Sequence, residues 1–195
     1  MHFESNKKRH PVKGSKLKTL QRECVSLDDD IRWLVALISD SGMRLSEAVG
    51  LLVDDIVLDA KQPHITLIKH PHRRLKTEAS ERVIPLVGSS LWAARRIKEN
   101  TPSRFCFSRY CSEDNCNSNS ASAAINKWIK TIVGSEGVIH GLRHGFRDRL
   151  RAVEAPVDMI DQLGGWSLRS VGQGYGDGYP LDLLHRWMKK IAIGE

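Results

Sequence analysis

His140-Gly141-Leu142-Arg143-His144, with Gly165-Trp166-Ser167 after it and Tyr175 nine residues past the tryptophan, is the stretch on which the fold of this chain turns. His140 and Arg143 stand three apart. At the start of a helix they share one face near its positive end, where an imidazole and a guanidinium make an anion site. Trp166 carries an indole N–H that donates a hydrogen bond and cannot accept one. Tyr175 lies in Gly172-Gln173-Gly174-Tyr175-Gly176-Asp177-Gly178-Tyr179, and so many glycines predict a mobile or tightly turning segment. A tyrosine in such a segment is out of place in a core and suits a nucleophile that swings to its target. Tyr179 competes with it on composition alone.

Two further cationic positions lie upstream. Arg44 sits in Ser41-Gly42-Met43-Arg44-Leu45-Ser46-Glu47, at a predicted helix start where backbone N–H groups and a guanidinium converge on one anion. Glu47, one turn on, either orients that arginine or forms an ordinary i,i+3 pair. Lys76 lies in a long basic connection, His70 to Glu81, together with His70, His72, Arg73 and Arg74. Such a loop, followed by the apolar run Val83-Ile84-Pro85-Leu86, has the character of one that enters a DNA groove. Two arginines, a lysine, a histidine and an indole suit a phosphodiester attacked by a phenol, with no metal required.

Composition agrees with a polyanionic partner. The chain has 195 residues, 41% hydrophobic and 27% charged, and Lys+Arg 30 against Asp+Glu 23 leaves a formal charge of +7. Basic side chains release counterions from a phosphate backbone, which favours binding. No apolar run reaches the roughly 18 residues of a membrane span, and the N-terminus has no apolar signal core, so a cytoplasmic, nucleoid-associated protein is expected. Cys24 stands alone, and Cys106, Cys111 and Cys116 are spaced by fives, unlike the paired ligands of a zinc site. They are expected to be free thiols, with no metal and no cofactor.

Residues 1–25 are basic and poor in apolar periodicity, which predicts a flexible arm or linker, with order beginning near Ser26. Ile31, Leu34, Val35 and Ile38 mark one helical face. Asp55 to Leu58, His64 to Ile68 and Arg82 to Leu86 have the pattern of three short antiparallel strands. Further helices are predicted over Ser89 to Glu99, Ser120 to Ile132, Gly141 to Val153, Pro156 to Leu163 and Leu181 to Ile191. The expected fold is α+β, mostly helical with a small three-stranded antiparallel sheet.

Taken in order, Gly42-Met43-Arg44-Leu45-Ser46-Glu47, Lys76, His140-Gly141-Leu142-Arg143-His144, Gly165-Trp166 and Tyr175 resemble the catalytic domain of the tyrosine recombinases, the lambda-integrase family. The resemblance runs from about Ser26 to Tyr179 and favours Tyr175 over Tyr179. Trp166 replaces the histidine usual at that place, and the nucleophile segment is richer in glycine than is usual. The resemblance implies a catalytic domain at 26–195, with 180–195 a tail helix. It also implies an upstream core-DNA-binding domain, for which this chain leaves no room.

The implied reaction is site-specific recombination of double-stranded DNA, as by a phage or mobile-element integrase. Tyr175 forms a 3′-phosphotyrosine without metal or ATP. Arg44 and Arg143 clamp the non-bridging oxygens, His140 assists proton transfer, Lys76 protonates the leaving 5′-oxygen, and Trp166 donates or packs. Glu47 and His144 support this set, and Arg73, Arg74 and Lys76 contact DNA. A monomer assembling as a homotetramer on DNA, with accessory DNA-bending or directionality proteins, is also implied; the tail helix packs either on a neighbour or on its own core. Type IB topoisomerase-like relaxation and an inactive DNA-binding remnant are the alternatives.

Overall fold

Leu34, Val35, Ala36, Leu37 and Ile38 are consecutive and all buried, so the helix that carries them has no solvent face over that turn and must be enclosed. The structure, a computed structural model, describes residues 10–166 and 178–193. In chain order its helices are α1 (Gly14–Leu27), α2 (Asp30–Ser41), α3 (Leu45–Val49), α4 (Gly88–Asn100), α5 (Ser118–Val133), α6 (Ile139–Ala152), α7 (Val157–Gly164) and α8 (Leu181–Lys189). The central helix is α2, and α1, α4, α5 and α6 pack around it. Asp29 caps it by accepting from the Arg32 N–H at 3.0 Å. Gly42 ends it at φ 64°, and a Cβ there would meet the Phe146 ring of α6 at 2.3 Å, so both the turn and the close approach need glycine.

The strands β1 (Ile56–Val57), β2 (His64–Leu67) and β3 (Arg82–Pro85) form one antiparallel sheet in the order β1-β2-β3. Ile56 pairs with Ile65 and Ile65 with Ile84, so three buried isoleucines form one row across the inner face. The architecture is the expected one, mostly helical with a small three-stranded antiparallel sheet.

Two expectations are corrected. Order does not begin near Ser26: α1 starts at Gly14, and Leu17, Leu20 and Cys24 bury a stripe at helical spacing against α2. Four lysines and arginines between residues 13 and 22 masked that spacing. Gln21, buried on the same face, donates to Ser39 Oγ at 2.9 Å and Asp40 Oδ2 at 3.0 Å. Second, Cys111 and Cys116 are not free thiols but a disulfide. A turn closed by Ser112 N–H to Asn115 O, 2.9 Å, sets the two residues opposite each other; Cys24 and Cys106 are free and buried. Of the two placements open for the tail helix, α8 has the one on its own chain: it packs against β3 through Leu184 and Met188, with Ile191 buried just beyond.

The position of α6 decides where the site forms. Val12 N–H donates to Gly141 O at 3.0 Å, strapping the N-terminal segment along the start of α6. Near the other end, Arg149 ties α6 to Asp40 at 2.7 Å, to Ser39 O, and to Ile191 O at 2.9 Å. Helix α6 is thus fixed at both ends, with His140 and Arg143 in its first turns.

Candidate active site

Arg44 is the N-cap residue of α3, where the chain leaves Gly42 in an extended conformation. Its backbone N–H donates to Glu47 Oε2 at 2.9 Å and its Nη1 to Glu47 Oε1 at 2.6 Å. Nη1 also reaches Ser80 Oγ at 3.3 Å, and Nη2 donates to Gly165 O at 2.9 Å. Arg44 thereby joins α3, the end of the β2–β3 connection and the end of α7. Glu47 forms the i,i+3 pair with Arg44 and is also paired with Arg82 at 3.0 Å.

Arg143 lies 4% exposed on α6. Its Nη1 donates to Gly42 O at 2.5 Å, and its guanidinium stacks on the Trp166 ring at 4.2 Å. Arg147, one turn on, stacks on the same ring at 4.6 Å and pairs with Asp161 at 3.0 Å. Trp166 serves as a platform for two guanidiniums. It can tuck in because α7 ends in glycine: a Cβ on Gly164 would overlap the indole at 1.7 Å. His140 is half-buried and lines a small cavity with Arg143, Ile38, Met43, Leu45 and Ile139. Its ring meets that of exposed His144 edge-on at 4.8 Å.

The electrostatics are those of a site short of negative charge. Burial, then the neighbouring Arg44 charge, pushes the Arg143 guanidinium well below its usual value; Glu47 opposes this, while Arg82 and Arg147 add to it. Arg143 Nη2 is buried and has no hydrogen-bond partner among the described residues. A buried donor without an acceptor is costly, and functional sites are where such costs are kept.

Glu47 is the counterion. Burial alone would raise its carboxyl, but the Arg82 and Arg44 guanidiniums outweigh that and hold it below the ordinary value of 4.5. A carboxylate depressed on folding adds stability above its unfolded value, and that contribution is lost as pH falls through the folded value. Glu47→Gln is therefore expected to lose less melting temperature than the wild type between about pH 5 and about pH 3. Parallel thermal melts at the two pH values check this; equal losses would mean that folding does not lower the Glu47 carboxyl.

The remaining expected residues divide. Lys76 and Arg74 are exposed on the β2–β3 connection; Thr77 N–H, next to Lys76, donates to Ser80 Oγ at 3.3 Å. Arg73, expected to face DNA, is buried instead at 2% exposure. Its guanidinium binds Asp55 at 3.1 Å, Gly50 O at 3.0 Å and Ile68 O at 2.5 Å, because buried Asp55 needs a cation and the loop supplies one. Tyr175 lies outside the described residues. Tyr179 is fixed: its hydroxyl donates to Asp158 Oδ1 at 2.9 Å and its N–H to Gln162 Oε1 at 2.8 Å. Gly178 lies against the same Gln162 side chain, so Trp166 and Gly178, which bracket the Tyr175 segment, are both held at α7.

Sequence reasoning missed Ser80, Arg82 and Arg147, which are all in contact with the expected set. Among the described residues, no group of three His, Cys, Asp or Glu side chains converges to hold a metal, and no helix is long and apolar enough to cross a membrane.

The profile of the Phage integrase family, the tyrosine recombinases, matches residues 14–179, and the chain belongs to that family. Solved structures share the fold. XerH site-specific recombinase bound to a palindromic difH substrate in a post-cleavage complex superposes with a TM-score of 0.62 at 17% identity, over 84% of this chain and 48% of that one. XerA recombinase gives 0.61 at 16%, over 92% and 58%. The Tn1549 transposon integrase (residues 82–397) with circular intermediate DNA gives 0.61 at 16%, over 96% and 69%. This chain spans about half the length of the first two. No curated protein sequence matches it.

Proposed function

We propose that this domain breaks and rejoins DNA strands as the catalytic part of a site-specific recombinase of a phage or other mobile element. The observation that carries the reading is the buried Nη2 of Arg143, without a hydrogen-bond partner among the described residues and held on Trp166 beside Arg44 in a site short of negative charge. A phosphodiester supplies what that site lacks, one negative charge and two non-bridging oxygens. Family membership and the likeness to recombinases solved with DNA support the same reading.

In the proposed step the Tyr175 oxygen attacks the scissile phosphorus, and the bond from phosphorus to the 5′-oxygen breaks. The phenol proton leaves towards His140, and Lys76 supplies a proton to the departing 5′-oxygen. The product is a 3′-phosphotyrosyl adduct and a free 5′-hydroxyl, so the bond energy is kept for rejoining to another strand. Arg44 and Arg143 hold the non-bridging oxygens, where fixed charge inside a protected site is most effective. Guanidiniums do the work a metal would do. The exposed Arg74 and Lys76 would contact the backbone, and full recombination would engage two duplexes and four protomers.

The test uses a pool of nicked duplexes randomised around the nick, incubated with the protein in EDTA and resolved on a denaturing gel. A covalent protein–DNA band is expected, with the captured sequences converging on one site. Binding of the pool without any covalent band would overturn the proposal in favour of an inactive DNA-binding module. Convergent capture followed by religation to the original strand alone, never to an added 5′-hydroxyl strand, would favour relaxation over exchange.

A further inference from the structure

Arg82 opens β3, and its side chain is 3% exposed. Its guanidinium touches three of the segments that build the site. Nε donates to Leu163 O at 2.9 Å, in the last turn of α7 just before the Gly164-Gly165-Trp166 corner. Nη1 donates to Ser80 O at 2.7 Å, where the connection carrying Lys76 returns to the sheet. Nη1 and Nη2 reach Glu47 Oε1 at 3.4 Å and Oε2 at 3.0 Å. The same two carboxylate oxygens receive Nη1 and the backbone N–H of Arg44.

A buried ion pair is a poor stabiliser, since desolvation cancels most of the attraction and an apolar pair of similar volume does as well or better. Glu47 is as buried as Arg82, at 3% exposure. The pair therefore needs another reason to be there. An apolar pair would fill the space but could not orient Arg44. A fork with planar, fixed donors holds a carboxylate in one orientation.

Building on the function proposed above, we infer that Arg82 is a positioning residue for phosphoryl transfer. It clamps the Glu47 carboxylate between itself and Arg44, so that the Arg44 guanidinium is already fixed against Ser80 and Gly165 when the phosphate arrives. Its other two bonds keep the Lys76 connection and the Trp166 corner in register with that clamp. Arg82 itself touches no reacting atom.

The test compares Arg82→Lys, which keeps the charge and loses the fork, with Glu47→Asp, which shortens the same bridge from its other end. Two DNAs are used: the nicked duplex that the wild type captures from the randomised pool, and the same duplex with a methylphosphonate at the scissile position. A misplaced Arg44 is expected to slow adduct formation about 100-fold on the phosphodiester, with DNA binding unchanged. The methylphosphonate carries no ionised non-bridging oxygen, so it depends less on that arginine, and the deficit should shrink at least about tenfold on it. Equal losses on both DNAs, tracking the fall in melting temperature, would reduce Arg82 to an ordinary structural residue. A crystal structure of Arg82→Lys decides separately: Arg44 still bonded to both Glu47 and Gly165 O overturns the inference. That second arm reads even if the wild type captures no DNA, an outcome that would sink the proposed function on its own.

Discussion

Tyr175→Phe is expected to form no covalent DNA adduct, whereas Tyr179→Phe keeps adduct formation close to the wild-type rate. The case rests mainly on what Tyr179 is already doing. Its hydroxyl is committed as a donor to Asp158, and its N–H and C=O are both bonded to the Gln162 side chain. The hydrogen bond to Asp158, with lesser help from burial and from the carboxylate's charge, holds its phenol above the ordinary value of 10. A nucleophile needs the opposite, a phenol that gives up its proton readily. Tyr179 also has to stay put, because it anchors the start of α8 to α7. Loss of its hydroxyl costs one part-exposed hydrogen bond, about 1 kcal/mol of stability and little activity. Tyr175 stands nine residues past Trp166, the spacing that the family resemblance picks out, and the family profile extends through it. The assay is the denaturing gel in EDTA with each variant. An adduct that survives in Tyr175→Phe and vanishes in Tyr179→Phe would transfer the nucleophile to Tyr179.

What was legible in the sequence follows a physical pattern. The strands were readable because β-branched residues alternate, and Ile56, Ile65 and Ile84 do align across the sheet. Residues Arg44, Glu47, His140, Arg143 and Trp166 were readable because short local motifs place each at the end of an element, and the structure does bring these five together. Helix α1 was not, since Leu17, Leu20 and Cys24 carry its periodicity through a run of lysines whose stems lie on the solvent side.

Arg73 was misjudged for a different reason. A charged loop reads as solvated until its counterion is known, and Asp55 lies 18 residues away. Arg82 and Ser80 escaped notice on the same ground: their partners, Glu47 and Arg44, stand 35 and 36 residues upstream. A signal did exist. Arg82 is a cation two residues before buried Ile84, on the same face of the strand, a place where an arginine has to find a carboxylate. The Cys111–Cys116 pair was hidden likewise, because even spacing gives no hint of the turn that brings the two residues face to face.

Arg143→Met should show the other large effect, and a dissociation between stability and activity. In the free protein the guanidinium is a burden. It is buried, it is pushed well below its usual value by burial and by Arg44, and its Nη2 lacks an acceptor among the described residues. Against this stand one bond to Gly42 O and the stack on Trp166, each worth about 1 kcal/mol. Methionine fills a similar volume and stacks on the indole through sulfur. The variant should therefore melt within about 1 kcal/mol of the wild type, as apolar replacements of buried charge often do. Adduct formation should fall at least about 1000-fold, because charge on the phosphoryl oxygens then lacks its second fixed guanidinium. Arg143→Lys should recover little, since an ammonium cannot hold Gly42 O and a phosphate oxygen in the same planar arrangement. Urea denaturation and the adduct gel, run on the same preparations, read the two quantities separately. A large loss of stability with a proportionate loss of activity would make Arg143 a packing residue. Unchanged stability with activity intact would remove it from the phosphate site altogether, and with it the observation on which the proposed chemistry chiefly rests.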